Sequence, residues 1–342
     1  MYVRAQKGSF RSRQEALRRA RGMELAAAVE EVWCAHERAV LNRCGVGAEP
    51  AAPFGAAIKE QLYPHLGSAS MAGGLLPTAV FMNNGGTGSV MEPVIQLREV
   101  AGRMGEEQPM RWHRDFVPPL LARCRREVGG YLGCAPDALT LLPSVSTGFY
   151  LVLEALQVQP GDLLLTTSLC YHSFTDDLAH FTTATGTEVR VAEVPYPLEH
   201  TSQIVGAMAA LLDGLRAAGE LGKVKLAFFD HIASKPAILC PVHEIGRAST
   251  QLPTASCAGP FAVALSLNAL VRFLHTAALC RTAGVPTLVD GAHGPGQLAW
   301  TEEVVGGGPG LRLDQLGADL YIANFHKCAA ASHRLPSCPA AG

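Results

Sequence analysis

An α/β architecture, a mainly parallel sheet with helices packed on both of its faces, follows from the order of apolar segments along the chain. Short apolar runs that suit buried strands stand at Leu163-Leu164-Leu165, Val189-Arg190-Val191, Val224 to Phe229, Thr287-Leu288-Val289 and Leu320-Tyr321-Ile322, with another at 138–142. Helical spacing fills the gaps between them, at about 147–158, 173–184 and 203–218. Strands that alternate with helices are joined by crossovers, so they run parallel and both sheet faces are covered. The 342 residues are 48% hydrophobic, enough chain to bury a large core of that type.

Ahead of the alternation, residues 14–43 read as a helix, because Leu17, Leu25, Val29, Val32 and Val40 recur near helical spacing among Glu and Arg. Residues 1–22 hold seven of the 28 basic side chains and one of the 30 acidic ones. That is the pattern of an organelle transit peptide, and also of a solvated helix. The expected location is cytoplasmic, with a plastid or mitochondrion the alternative if residues 1–22 direct targeting. A Gly/Ala/Pro-rich patch at 45–57 reads as a linker, so residues 1–53 form a basic, helical extension. The turn-rich Phe81-Met82-Asn83-Asn84-Gly85-Gly86-Thr87-Gly88 leads into Ser89-Val90-Met91-Glu92, which reads as a capping box. Val94, Leu97, Val100 and Met104 follow on one helical face.

Composition closes off several classes. The net charge of −2 and a pI of about 6.6 argue against a nucleic-acid or membrane-surface partner. No apolar run reaches the roughly 18 residues of a membrane span. The ten cysteines include no C-x-x-C pair, which removes the usual zinc signature; no metal site is expected. They read as reduced thiols, mostly buried as small hydrophobes. The P-loop pattern, G-x-S-x-G and H-E-x-x-H are all absent. A nucleotide-binding domain then rests on fold-level alternation alone, which does not fix function.

In parallel sheets ligands bind beyond the carboxyl ends of the strands. Four such ends carry chemistry. Pro143-Ser144-Val145-Ser146-Thr147-Gly148 opens a helix and offers free N–H groups to a phosphate, although ordinary N-capping explains the same residues. Tyr171 offers a ring for stacking, or simply a half-buried loop aromatic. Asp290, in Asp290-Gly291-Ala292-His293-Gly294-Pro295-Gly296, could face a cationic ring nitrogen or a metal, or could form a turn. Lys327, in Asn324-Phe325-His326-Lys327, could be a nucleophile or a solvated surface amine. Taken as a set, a phosphate cradle, a stacking aromatic, a strand-end acid and a strand-end lysine match pyridoxal phosphate chemistry.

At these residues the sequence resembles the class V aminotransferase family of fold-type I pyridoxal phosphate enzymes. The similarity is to its isopenicillin N epimerase-like and cysteine desulfhydrase-like branch. The blocks that carry it are Met82 to Gly88, Pro143 to Gly148, Asp230-His231-Ile232-Ala233-Ser234-Lys235-Pro236, Val289 to Gly296, and Ala318-Asp319 through Lys327. The resemblance implies a three-layer αβα large domain over 54–327 and a pyridoxal 5'-phosphate cofactor. Lys327 would be the Schiff-base lysine and Asp290 the pyridinium partner. His293, with Ser234, would sit near the ring's phenolic oxygen. Val145 and Ser146 would hold the phosphate, Tyr171 would stack on the ring, and Asn324 and His326 would reach the phosphate side. A small amino-acid substrate and a homodimer are implied as well, with no nucleic acid and no membrane partner.

Two departures from the family pattern shape the expectations. Residues 247–278 look inserted between Ile245 and Leu279. The pattern also stops after Lys327, leaving 328–342 as a loose Ala/Pro/Ser-rich tail and no C-terminal small domain. A sheet stopped there would expose an unpaired edge. Two functions are therefore expected to compete: a C–S lyase (or related epimerase or transaminase), and an inactive chain that binds cofactor or a full-length partner at most.

Overall fold

The structure is a computed structural model, and it describes residues 3–46, 56–66, 83–242, 268–272, 280, 283–298, 311 and 313–327. The chain divides into two compact units. Among the described residues, one comprises 3–46, 56–66 and 89–127; the other comprises 83–88 and the described residues from 128 to 327.

In the first unit, helix α1 runs from Val3 to Arg43, longer than the expected 14–43. Val29 and Val40 of its apolar set are buried, whereas Leu25 and Val32 are exposed. Glu37 accepts from Trp33 Nε1 at 2.9 Å and from Arg123 at 2.8 Å, and Glu30 pairs with Arg126 at 2.7 Å. Helix α2 (Ala56–Leu62) and helix α3 (Glu92–Glu107) follow, with a small core of Leu62, Tyr63 and Met91. The capping-box reading is corrected here. The N-cap of α3 is Met91 and no side chain caps it. Pro93 sets the first turn, because it needs no N–H partner there. Ser89 instead lies 3.2 Å from His65 Nε2. A short turn, α4 (Pro109–Arg111), and a π-helical turn (Trp112–Phe116) lead into α5 (Val117–Leu132).

The second unit holds the expected sheet. Strands β1 (Leu139–Leu142), β2 (Leu163–Thr167), β3 (Glu188–Ala192), β4 (Val224–Asp230), β7 (Asn268–Arg272), β8 (Thr287–Gly291) and β9 (Leu320–Ala323) lie in the order β1-β7-β9-β8-β4-β2-β3. The run from β3 through β9 is parallel, and β7 is antiparallel to both β1 and β9. A separate hairpin pairs β5 (Ile232–Ser234) with β6 (Ala237–Leu239). Crossover helices are α6 (Val145–Ala155), α7 (His172–Thr185) and α8 (Ser202–Ala217), with a short α9 (Leu313–Leu316) before β9. Gly186 ends α7 with a left-handed φ of 72°, and its N–H closes on Thr182 O at 2.8 Å.

β2 and β8 are buried along their whole length, as strands covered on both faces must be. One core layer joins α6 and α7 to the sheet: the Phe149 ring centroid lies 4.5 Å from that of Phe174 and 4.7 Å from that of Phe228. Register between β8 and β9 is clamped at their amino ends. Asp319 Oδ2 accepts from the Thr287 N–H at 2.8 Å and from its hydroxyl at 2.9 Å.

Part of the apparent insertion, Asn268–Arg272, is therefore a strand within the sheet. It pairs with the outer side of β9, so the unpaired β9 edge expected from the sequence is not present. The rest of 247–278, and the tail at 328–342, lie outside the described residues. Of the seven described cysteines, Cys240 and Cys280 are buried, while Cys34, Cys44, Cys124, Cys134 and Cys170 are only partly so. That corrects the expectation of mostly buried thiols. Among the described residues no helix is long and apolar enough to cross a membrane.

Candidate functional site

The strand ends converge on one cavity of about 220 Å³, and all nine residues singled out in the sequence line it. They arrive on five different connections. Val145 and Ser146 start α6, Tyr171 follows β2, Ser234 ends β5, Asp290 and His293 follow the β8 run, and Asn324, His326 and Lys327 follow β9.

The α6 entrance shows the N-capping that the sequence suggested. Ser144 is the N-cap, and its hydroxyl accepts from the Thr147 N–H at 3.1 Å. The amides at the two following positions are left without intrahelical acceptors at the positive end of the helix. The Val145 N–H reaches Asn324 Oδ1 at 3.4 Å, which ties the β9 end to this entrance. An anion suits this corner.

At the other end lies Asp290, 5% exposed, with Oδ1 accepting from the Ala292 N–H at 2.8 Å. Burial pushes its carboxyl above the ordinary range, while the Ala292 amide and the Lys327 charge pull it back. Lys327 Nζ lies 3.4 Å from His293 Nε2 and 5.8 Å from the centroid of the Tyr171 ring. Burial and the neighbouring ammonium push the His293 imidazole down to about 4, so it stays neutral and can accept from the amine. His326 is also pushed down, by burial and then by Lys327. Its carbonyl accepts from the Gly88 N–H at 2.6 Å, which brings the Asn83–Gly88 turn to the site.

Beneath the Asp290 loop is a buried polar pair. Tyr321 OH lies 3.0 Å from His231 Nδ1, and both residues are essentially inaccessible. A Cβ at Gly291 or Gly294 would overlap the Tyr321 ring or hydroxyl, so only glycine lets the loop cross the ring here. Burial holds His231 down at about 3 and Tyr321 well above its ordinary value.

Sequence reasoning missed one lining residue of consequence. Asp230 stands at the carboxyl end of β4, directly opposite Asp290 in the ladder, and is 3% exposed. Its position after an apolar run is the same signal that identified Asp290. The cavity therefore offers an amine, a neutral imidazole, an aromatic face, two acids and a helix start. This donor set fits a planar, phosphorylated, aldehyde-bearing cofactor. Among the described residues no group of three or more potential metal ligands is found.

No protein-family model matches the chain. It is 26% identical over 256 residues to the Oryza sativa subsp. japonica "Putative L-cysteine desulfhydrase 2", covering 72% of this chain and 44% of that protein. It is 24% identical over 254 residues to the isopenicillin N epimerase of Amycolatopsis lactamdurans, covering 73% and 51%. A solved complex of the cystine C-S lyase C-DES with its reaction product cysteine persulfide superposes with a TM-score of 0.51 at 17% identity, covering 72% of this chain and 53% of that one. The chain thus spans about half the length of the relatives it matches. The resemblance read from the motifs holds: over nearly three quarters of its length the chain is similar to L-cysteine desulfhydrases and isopenicillin N epimerases, and its mainly parallel α/β sheet shares its fold with that C-S lyase.

Proposed function

We propose that the chain binds pyridoxal 5'-phosphate and acts on an amino acid by C–S lyase chemistry of the cysteine desulfhydrase kind. The observation that carries this reading is the convergence of Lys327, Asp290, Tyr171 and the α6 start on one cavity. Lys327 is the amine that anchors the aldehyde. The Val145 and Ser146 amides hold the phosphate, with Asn324 and His326 beside them. Tyr171 covers one ring face, Asp290 faces the ring nitrogen, and His293 with Ser234 faces the phenolic oxygen. When bound, the cofactor supplies an electron sink for charge developing at the substrate Cα. Neutral His293, 3.4 Å from Lys327 Nζ, is placed to accept a hydrogen bond from the lysine and orient its amine.

One observation favours a second reading. Among the described residues no arginine lines the cavity, so nothing there grips a substrate carboxylate with a bidentate fork. On that reading the chain holds the cofactor without turning over substrate. Residues 1–53 as an extension, 54–327 as the cofactor-binding domain with 247–278 inserted, and a homodimer with sites near its interface belong to the same proposal. The basic start places the chain in a plastid or mitochondrion if it directs targeting, and in the cytoplasm otherwise.

The test is spectroscopic and chemical. Adding pyridoxal 5'-phosphate to the purified chain produces a protein-bound visible band that is absent in Lys327→Ala. Sulfide release from L-cysteine then separates the two readings. A wild-type chain without the band sinks both.

A further inference from the structure

We propose that Asp230 is a positioning residue of the cavity, a neutral carboxylic acid that braces the Tyr171 loop and leaves Asp290 as the single carboxylate of the pair. This rests on the cofactor reading given above. The argument starts from the ladder. β4 and β8 are parallel neighbours, Asp230 is the register partner of Asp290, and the His231 N–H donates to the Asp290 carbonyl at 2.7 Å. Two carboxyls are thus held side by side, facing one cavity, and both are at least nine-tenths buried.

Their surroundings do not supply charge for two anions. The groups that face Asp230 are Asp290 from β8, Lys327 after β9, Cys170 after β2 and Cys240 after β6, together with the Tyr171 backbone amide. Burial keeps both thiols protonated, pushed up to about 12. His293 and His326, the other basic groups lining the cavity, are pushed towards neutrality. Among the described residues that line the cavity, Lys327 is then the one cation against two acids. Asp290 has the Ala292 amide fixed on Oδ1. The Tyr171 backbone amide is near enough to Asp230 to favour its charged form, but Asp230 Oδ1 is buried with no hydrogen-bond partner among the described residues. A bare buried carboxylate oxygen is costly, whereas a carboxylic acid carries a proton there and can donate it into the cavity. Burial and the Asp290 charge both raise the Asp230 carboxyl, in agreement with that assignment.

The consequence for the cofactor is twofold. The Asp230–Tyr171 contact fixes the stacking loop to the strand next to Asp290, so the ring's face and its nitrogen are held by one rigid pair of strands. A neutral Asp230 also leaves one negative charge for one ring cation.

Two measurements decide it. Infrared spectra of the cofactor-free full chain, titrated from pH 5 to 10, should show a carboxylic-acid carbonyl band at pH 7. Asp230→Asn should remove it, and Asp290→Asn should move its midpoint to lower pH. A band at pH 7 that persists in Asp230→Asn, or no band at all, overturns the assignment. Equilibrium dialysis with pyridoxal 5'-phosphate should place Asp230→Asn within about twofold of wild type, since the amide mimics the neutral acid. Asp230→Ala, which loses the brace, should bind at least tenfold more weakly. A tenfold loss in Asp230→Asn, or none in Asp230→Ala, overturns it. A wild-type chain that does not bind the cofactor fails the functional reading, while the infrared titration still decides the protonation of Asp230.

Discussion

The Tyr321 ring fills the space under the loop that carries Asp290 and His293, and Gly291 and Gly294 are the residues that let it. Gly291→Ala forces a methyl into a ring that cannot move, since Tyr321 is fully buried. An overpacked site of this kind costs about 1–3 kcal/mol or more, so chemical denaturation should show a loss of at least that size. His231 gives a pH signature. Its folded-state value of about 3 lies below the 6.5 of an unfolded histidine, so the unfolded chain takes up the proton first. The stability it contributes is complete above pH 6.5 and is lost as pH falls towards 3. The advantage of wild type over His231→Gln should therefore shrink on acidification by about 1.4 kcal/mol per pH unit across that window. Denaturation curves of both proteins at several pH values measure the difference. Lys327, Asp290 and His293 were legible in the sequence because each follows an apolar run and sits in a recognisable block. Asp230 stood in such a block too. Its meaning comes from its ladder partner, and register between distant strands cannot be read from one segment.

Among elements, the β8–β9 pair matters most, because one strand carries Asp290 near its carboxyl end and the other leads to Lys327. The Asp319–Thr287 clamp sits at the opposite end of that pair. Asp319→Ala leaves the buried Thr287 N–H and hydroxyl without an acceptor. That costs about 1–3 kcal/mol. It should also weaken cofactor binding without touching the cavity, which a paired melting and binding measurement would reveal. The helices α6, α7 and α8 were readable from spacing, with ends displaced by a few residues at most. The start of α3 was not. Ser89 and Glu92 have capping-box spacing, but the helix with Pro93 in its first turn starts two residues further on than that motif requires. β7 also escaped notice, because a five-residue strand inside an Ala/Leu/Val-rich run has no periodicity of its own and is defined by β1 and β9 on either side.

At the scale of the molecule, the parallel order of the sheet was the most legible feature, since buried strands and crossover helices leave the strongest patterns. If the cavity takes up pyridoxal 5'-phosphate, ligand present at 100 times its Kd should stabilise the chain by about 2.7 kcal/mol. Thermal melts with and without cofactor would show this as an upward shift, absent in Lys327→Ala if the covalent anchor dominates affinity. A shift of equal size in that variant would assign the affinity to the phosphate corner instead.

The backbone bond from Gly88 to His326 joins a turn ahead of the first strand to the residue beside the last lysine. Its two ends lie far apart along the chain, and contacts of such separation are expected to close late and slowly in folding. A nascent or partly assembled chain would have the amine but no completed pocket around it. Acquisition of visible colour during refolding would then trail the recovery of helical circular dichroism, making pigment a timer for the final closure.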